Sequence, residues 1–311
     1  MKNDVCDIIE TKYILGVDGG GTKTETIAYS LDGREIARGY SGFGNIVIDK
    51  DIALKNIELS ILECTKKLRL DDCVYLCLGL AGCGAGDNKK TIEDYLKWRF
   101  HCLIKVINDG EIALSALLKG NDGILTIAGT GSITIGKYNG EEVRVGGWGH
   151  LIGDEGSGYF IVMEAIKKVF LENDLGLSDS ALTKEIYRVT NCDDRKELLK
   201  FVYTSNKGEI AALVPVILKM WGLGDSDSTK ILKDAGMYLA QNTIRAIKLL
   251  GVKGNIKVAI KGSIITKIKI VKDEFLNELI INDIDVQLID EDVSSAIGAY
   301  YLGIRKINSK I

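Results

Sequence analysis

Two glycine-rich turns, Asp18-Gly19-Gly20-Gly21-Thr22-Lys23-Thr24 and Ala128-Gly129-Thr130-Gly131-Ser132, occur in one and the same local pattern. Each is entered by a short apolar run, around Ile14 to Val17 and Ile124 to Ile127, and each is left by another, Thr26 to Tyr29 and Ile133 to Ile135. A second turn, Asp32-Gly33 or Asn139-Gly140, then sends the chain into a third run. Period-2 and short apolar runs bounded by turn signals read as strands, so the order strand, loop, strand, turn, strand occurs twice. Glycine accepts positive φ and lets backbone N–H groups approach a ligand, and Thr22, Thr24, Thr130 and Ser132 add hydroxyls. Two such loops are suited to cradle phosphates between two lobes. A single glycine turn would read as an ordinary hairpin; the recurrence, with Asp18 ahead of the first glycine, favours the phosphate reading.

Neither of the two commonest nucleotide motifs is present. The chain has no G-x-x-x-x-G-K followed by Ser or Thr, and the first turn opens into a β-like run instead of a helix, which weakens both the P-loop and the Rossmann readings. The 311 residues are 46% hydrophobic and 27% charged, enough for two domains with cores of their own. A net charge of −3 supplies no basic field for nucleic acid or an anionic membrane surface. Uncharged stretches such as residues 73–86 fall short of the roughly 20 apolar residues of a membrane span, and Asp4, Asp7 and Glu10 stand where a signal peptide would be apolar. A cytoplasmic protein is expected. Seven cysteines, Cys6, Cys64, Cys73, Cys77, Cys83, Cys102 and Cys192, are odd in number and lack a C-x-x-C pair, which reads as reduced core thiols.

Periodicity predicts an α/β layout. Ile57, Ile61, Cys64 and Leu68 lie at helical spacing; residues 74–78 and 104–107 read as buried strands; Ile92, Tyr95 and Leu96, and residues 112–118, read as helices. From Glu155 to about Leu250 the pattern is helical, broken at residues 174–176, 191–194 and 222–224, with Pro215 starting or kinking a helix. Strands return at 257–260 and 286–289, and a helix closes the chain from Ser294. The predicted division is a first domain of residues 1–119 with the helix 294–311 packing back on it, a hinge near 119–123, and a second domain of residues 120–293 carrying a helical insertion.

Several side chains have two readings. Asp109 stands where a strand ends and a helix begins, in a glycine-flanked turn where α/β sheets expose reactive groups, but an N-cap would use the same residue type. Asp154 and Glu155 either start the helix after Gly153 or contact a ligand. His150 reads as a hydrogen-bonding support for its loop and His101 as packing at a helix end. No H-E-x-x-H, His/Cys ligand spacing or G-x-S-x-G occurs, which disfavours zinc and a serine hydrolase.

The run 18–24, the pair Asn108-Asp109 and the block Gly146-Gly147-Trp148-Gly149-His150-Leu151-Ile152-Gly153-Asp154-Glu155-Gly156-Ser157-Gly158 together resemble the N-acetylglucosamine kinases, grouped with the BadF/BadG-type ATPases in the actin, hexokinase and heat-shock ATPase superfamily. The likeness covers nearly the whole chain. It implies two ribonuclease-H-like, actin-like ATPase domains with an interdomain cleft, usually in a homodimer. Carried over by position, Asp18, Gly19, Gly20, Gly21, Thr22, Lys23 and Thr24 match the first phosphate loop and Gly129, Thr130, Gly131 and Ser132 the second. Asp18 would hold Mg²⁺ through water, and Gly262-Ser263 matches the adenosine-side turn. Asp109 matches the catalytic base, and Asn45, Asp109, Gly147, Trp148 and Asp154 match sugar-contacting positions. Asn45 is followed by Ile46-Val47, where mammalian relatives carry bulkier polar and aromatic residues. The implied activity is ATP-dependent phosphorylation of N-acetylglucosamine or N-acetylmuramic acid, at the 6-hydroxyl, in cell-wall sugar salvage. The alternatives are a glucosamine kinase, an ATPase activator of a radical dehydratase, for which Cys83 and Cys102 are the candidate cluster thiols, and a sugar-sensing regulator.

Overall fold

A computed structural model of the protein describes residues 12–309; Cys6, Asp4, Asp7, Glu10 and the last two residues lie outside that range. The first apolar run forms β1 (Tyr13–Gly19), in which Tyr13, Ile14, Leu15 and Val17 are wholly covered, as a strand with packed layers on both faces requires. It turns back into β2 (Thr24–Ser30), and a turn with Gly33 at φ 89° leads to β3 (Glu35–Ser41). Helix α1 (Lys50–Cys64) starts at Asp49, whose side chain accepts from Ile52 N, and buries Ile57, Ile61 and Cys64. The helix is one turn shorter than the spacing predicts: Thr65 ends it, and Leu68 is buried from the loop beyond. Then come β4 (Cys73–Leu80), α2 (Asn88–Lys97), β5 (Leu103–Asn108) and α3 (Asp109–Leu117).

The second half repeats this plan. β6 (Gly123–Ala128), β7 (Ser132–Tyr138) and β8 (Glu141–Gly146) form an antiparallel meander, as β1 to β3 do. Six helices then occupy the place that α1 alone fills in the first half: α4 (Gly158–Asp174), α5 (Ala181–Thr190), α6 (Arg195–Thr204), α7 (Lys207–Ala211), α8 (Val214–Gly222) and α9 (Ser226–Leu249). The expected breaks are present, and a further one falls at Ser205-Asn206, where Asn206 and Glu209 form a capping box. Pro215 stands in the first turn of α8 and starts it. After β9 (Ile256–Lys261) come two helices that the sequence reading omitted, α10 (Ser263–Lys267) and α11 (Lys269–Ile281), and then β10 (Val286–Ile289).

The sheets have orders β3-β2-β1-β4-β5 and β8-β7-β6-β9-β10, with the same antiparallel and parallel pairings at corresponding places. The recurrence of the glycine turns is therefore a recurrence of the whole sheet. The chain divides into two compact units, residues up to Asp122 together with Glu291 onward, and Gly123–Asp290. The last helix, α12 (Ile297–Asn308), belongs to the first unit, where small residues let it lie close: a side chain on Gly16 would strike the backbone of Ala296, and one on Gly298 that of Ile112. Ser115 Oγ donates to Gly298 O at 3.1 Å across the same contact.

Candidate active site

In the first unit the strand register sets the candidate residues in one row. Thr24 pairs with Gly19, Gly19 with Leu80, and Leu80 with Asn108. Asp18-Gly19 and Asn108-Asp109 thus end two parallel strands at the same carboxyl edge, separated by one strand, or roughly 10 Å at ordinary strand spacing. That edge is where open α/β sheets bind ligands. The first turn is closed by Gly20 N donating to Lys23 O at 3.0 Å, and residues 21–23 face solvent. Gly20 O in turn accepts from Gly44 N at 2.9 Å and Asn45 N at 3.1 Å, which joins the sugar-side candidate Asn45 to the phosphate-side turn. Asn45 Oδ1 accepts from Val47 N at 3.0 Å and so shapes its own loop.

Asp109 is exposed at the first position of α3. It is not the cap that one sequence reading made of it: Asn108 holds that position, its side chain accepting from Gly110 N at 3.0 Å while Glu111 reaches back to Asn108 N at 3.4 Å. Asp109 Oδ1 also accepts from Gly110 N, at 2.9 Å, so its carboxylate sits in the positive field of a helix N-terminus.

The second unit presents a corresponding edge. Ala128 pairs with Ser132 across the second turn, and Ile127 with Lys261, which sets Gly262 beside Ala128. Gly262 adopts φ 95°, and a Cβ there would lie 2.3 Å from Ala128 O. Gly129 N donates to Gly131 O at 2.9 Å, while Gly129 O accepts from Gly158 N at 2.8 Å and Thr130 O from Tyr159 N, so the loop is tied to the first turn of α4. Ser132 Oγ donates to Glu155 O at 2.7 Å.

The glycines of the two phosphate-loop candidates act through space, not through φ. None of Gly19, Gly20, Gly21, Gly129 and Gly131 has positive φ; that conformation is concentrated in the tryptophan block, at Gly146, Gly147, Gly149 and Gly156 and at Asp154. Gly129 has no protein atom within 4 Å of where a Cβ would sit, and Gly20 and Gly21 are nearly as open. Backbone presented to open space is what an anion-binding loop needs.

In the tryptophan block, Trp148 is 62% exposed and its ring lies 4.7 Å from the Arg144 guanidinium, which also donates to Gly146 O at 3.2 Å and to Gly147 O. Arg144 therefore braces the turn that carries both Gly147 and Trp148. Neither Asp154 nor Glu155 starts a helix: α4 begins at Gly158 with Ser157 as its cap, accepting from Phe160 N at 3.1 Å. Asp154 is instead buried, at φ 67°, and pairs with Lys207 Nζ at 2.5 Å. Sequence reasoning missed Lys207, which stands far from every motif. His150 packs its ring edge-on against Tyr159, centroids 4.8 Å apart, in place of the expected hydrogen-bonding support. His101 is exposed in the loop after α2.

The cysteines fall into two groups. Cys64, Cys73, Cys77, Cys83 and Cys192 are buried and all described thiols are free. Cys83 donates to Ile107 O at 3.1 Å from a site without exposure, and Cys102 lies 3.6 Å from Cys73. Cys83 is wholly buried and Cys102, though partly exposed, lies against Cys73, so the two candidate cluster thiols are not presented together at a surface, and the dehydratase-activator reading gains no support from them.

For a metal, no group of three or more His, Cys, Asp or Glu side chains converges among the described residues. Asp18, half-buried at the first turn, places one carboxylate at this edge, which is compatible with Mg²⁺, an ion that keeps most of its waters and takes one or two carboxylates together with substrate phosphates.

Two glycine loops at equivalent carboxyl edges of two repeated mixed sheets give the two-domain α/β fold of actin-like ATPases. The chain belongs to the BadF/BadG/BcrA/BcrD ATPase family, whose pattern matches residues 15–303. It is 35% identical over 297 residues to the N-acetylmuramic acid/N-acetylglucosamine kinase of Clostridium acetobutylicum, covering 93% of this chain and 97% of that one. It is 29% identical over 319 residues to the N-acetyl-D-glucosamine kinase of Dictyostelium discoideum, covering 96% and 99%. Among solved structures, a candidate N-acetylglucosamine kinase from Chromobacterium violaceum superposes with a TM-score of 0.75 at 23% identity over 94% of this chain and 99% of that one. A ROK family glucokinase from Streptomyces griseus, bound to glucose and AMPPNP, gives 0.57 at 13% identity over 95% and 98%. These two likenesses establish the fold.

Proposed function

We propose that the protein transfers the γ-phosphoryl group of ATP to the 6-hydroxyl of an N-acetylated amino sugar, N-acetylglucosamine or N-acetylmuramic acid, in cell-wall sugar salvage. The observation that carries the reading is the register row in which β5 ends at Asn108, so that exposed Asp109, the next residue, stands on the same edge as the open turn after β1. Phosphoryl transfer needs positioned phosphates, N–H donors that neutralise developing charge, and a base to take the acceptor proton. The turns at 18–24 and 129–132 supply the donors and Asp109 the base. Asp18 would hold Mg²⁺ through water, and the ion would neutralise phosphate charge when bound. Gly262-Ser263 would border the adenosine. Asn45, Gly147 and Trp148 would meet the sugar, with the Trp148 indole a flat apolar surface for an acetamide methyl, and the loop that Asp154 fixes by pairing with Lys207 would border it. The activities for which the Clostridium and Dictyostelium relatives are named support the substrate class. A cytoplasmic homodimer completes the reading; no helix among the described residues is long and apolar enough to cross a membrane.

The test is turnover with ATP and Mg²⁺ on N-acetylglucosamine, N-acetylmuramic acid, glucosamine and glucose at equal concentration, with the phosphate located on the product by phosphorus–proton NMR. The N-acetylated sugars should lead, with phosphate on O6. Preference for glucosamine would transfer the assignment to the glucosamine kinases, a class with a 26% identical relative in Vibrio cholerae; preference for glucose would overturn it.

A further inference from the structure

Asp154 is an anomaly for a loop meant to receive a polyphosphate. Its side chain is 4% exposed, its backbone lies at φ 67°, where non-glycine residues are strained, and its oxygens face Ser132 N at 3.4 Å and the space over Gly131, where a Cβ would stand 3.0 Å from Oδ2. A bare negative charge there would repel phosphates from the N–H groups that the turn presents. It would also carry the several kcal/mol cost of a buried unpaired charge. Lys207 answers both problems. Its ammonium is 2.5 Å from Asp154 Oδ2 and lies so close over the turn that a Cβ on Gly131 would meet it at 2.5 Å. The lysine is held there by the first turn of α7, fixed by the Asn206–Glu209 capping box: Glu209 N donates to Asn206 Oδ1 at 3.0 Å and Asn206 N to Glu209 Oε2 at 2.7 Å.

We propose that Lys207 is a positioning residue of the second glycine-rich turn: its ammonium cancels the charge of Asp154 and keeps the turn at 129–132 electrostatically open to the phosphates of ATP. The inference rests on the assignment of that turn to ATP. It gives the helical insertion, which brings Lys207 to the sheet edge, a direct part in nucleotide binding.

The experiment measures nucleotide affinity of the full chain without sugar, by calorimetry for ATP and ligand-observed NMR for adenosine. Lys207→Met should weaken ATP about 10-fold or more, the scale of an uncompensated charge near a phosphate at protein-like dielectric, and leave adenosine unchanged. Lys207→Arg should restore most of the loss. Asp154→Asn added to Lys207→Met should restore it as well, because the charge to be cancelled is gone; a merely structural pair would not give this recovery. Unchanged ATP affinity in Lys207→Met, equal losses for ATP and adenosine, or no recovery in the double variant would each overturn the inference. Should Lys207→Met fail to fold, ATP affinity of the double variant and of Lys207→Arg decides, near wild type supporting the inference and a large loss in both overturning it. Wild-type protein that binds ATP tightly yet phosphorylates no amino sugar would remove the substrate assignment and leave the lysine's role intact; wild-type protein that binds no ATP would overturn both.

Discussion

Asn108 caps the helix whose first residue is Asp109, accepting from Gly110 N at 3.0 Å. Capping and chemistry are thereby divided between two neighbours. Asp109→Asn keeps size and local hydrogen bonding but removes a basic carboxylate, so kcat should fall about 10²- to 10⁴-fold with the melting temperature nearly unchanged. Asn108→Ala should do the reverse at the level of stability, losing about 1 kcal/mol with its cap. Steady-state kinetics and thermal melts on both variants check the division. A folded Asp109→Asn enzyme with near-normal kcat would remove Asp109 from the mechanism.

The sheets were legible because their signals are local. Each strand of the two meanders is a short apolar run bounded by glycine, Asp-Gly or Asn-Gly, and parallel strands such as β4 are continuous apolar segments. The spacing of Val271, Phe275 and Leu279 at four-residue steps marks α11 equally well. The Asp109 cap reading erred by one residue because Asn and Asp are near-equivalent caps, and only the backbone decides which of two adjacent ones is used. The pair of Asp154 and Lys207 had no signal at all: 53 residues separate them, and nothing local says that a short helix returns a lysine to the sheet edge.

Glu25 ties the approach to α12 to the first sheet, accepting from Ser294 Oγ at 2.5 Å and pairing with Arg38 at 2.7 Å. Burial pushes its carboxyl up, but the hydrogen bonds from Ser294 and Tyr40 and the charges of Arg38 and Lys23 outweigh that and hold it below its usual value of 4.5. A depressed folded pKa means that the stabilisation is present above the unfolded value and is lost as pH falls through the folded one. Glu25→Gln should therefore melt lower than wild type at pH 7, and the gap should narrow as pH falls below the ordinary value of 4.5 and through the lower folded one. Thermal melts from pH 3 to 8 test this; a gap independent of pH would mean that shape, not charge, holds the contact.

The thiols should differ sharply in reactivity. Burial pushes Cys64 and Cys77 up to about 12 and Cys83 up to about 11, whereas the hydrogen bond from Cys73 lowers Cys102, which is also partly exposed. Since the thiolate is the nucleophile, iodoacetamide at pH 8 should modify Cys102 before Cys64, Cys77 or Cys83 in the native protein. Peptide mapping by mass spectrometry reads the order. Early labelling of Cys83 would show that the strand end around it opens.

Two glycines of the second unit separate packing from ligand binding. Gly262 needs to be glycine for the fold: its φ of 95° and the 2.3 Å approach of Ala128 O leave no room for a methyl, so Gly262→Ala should destabilise the protein by about 2–4 kcal/mol. Gly129 has ordinary φ and open space above it, so Gly129→Ala should fold with a stability change within about 0.5 kcal/mol. If that space belongs to the phosphates of ATP, the added methyl displaces them from the loop N–H groups, and the loss of one or two such bonds should cost about 1–3 kcal/mol of ATP affinity. Thermal melts and nucleotide titrations on the two variants give the comparison directly. A Gly129→Ala protein that binds ATP as well as wild type would take the second turn out of the phosphate site, however closely its sequence matches the first.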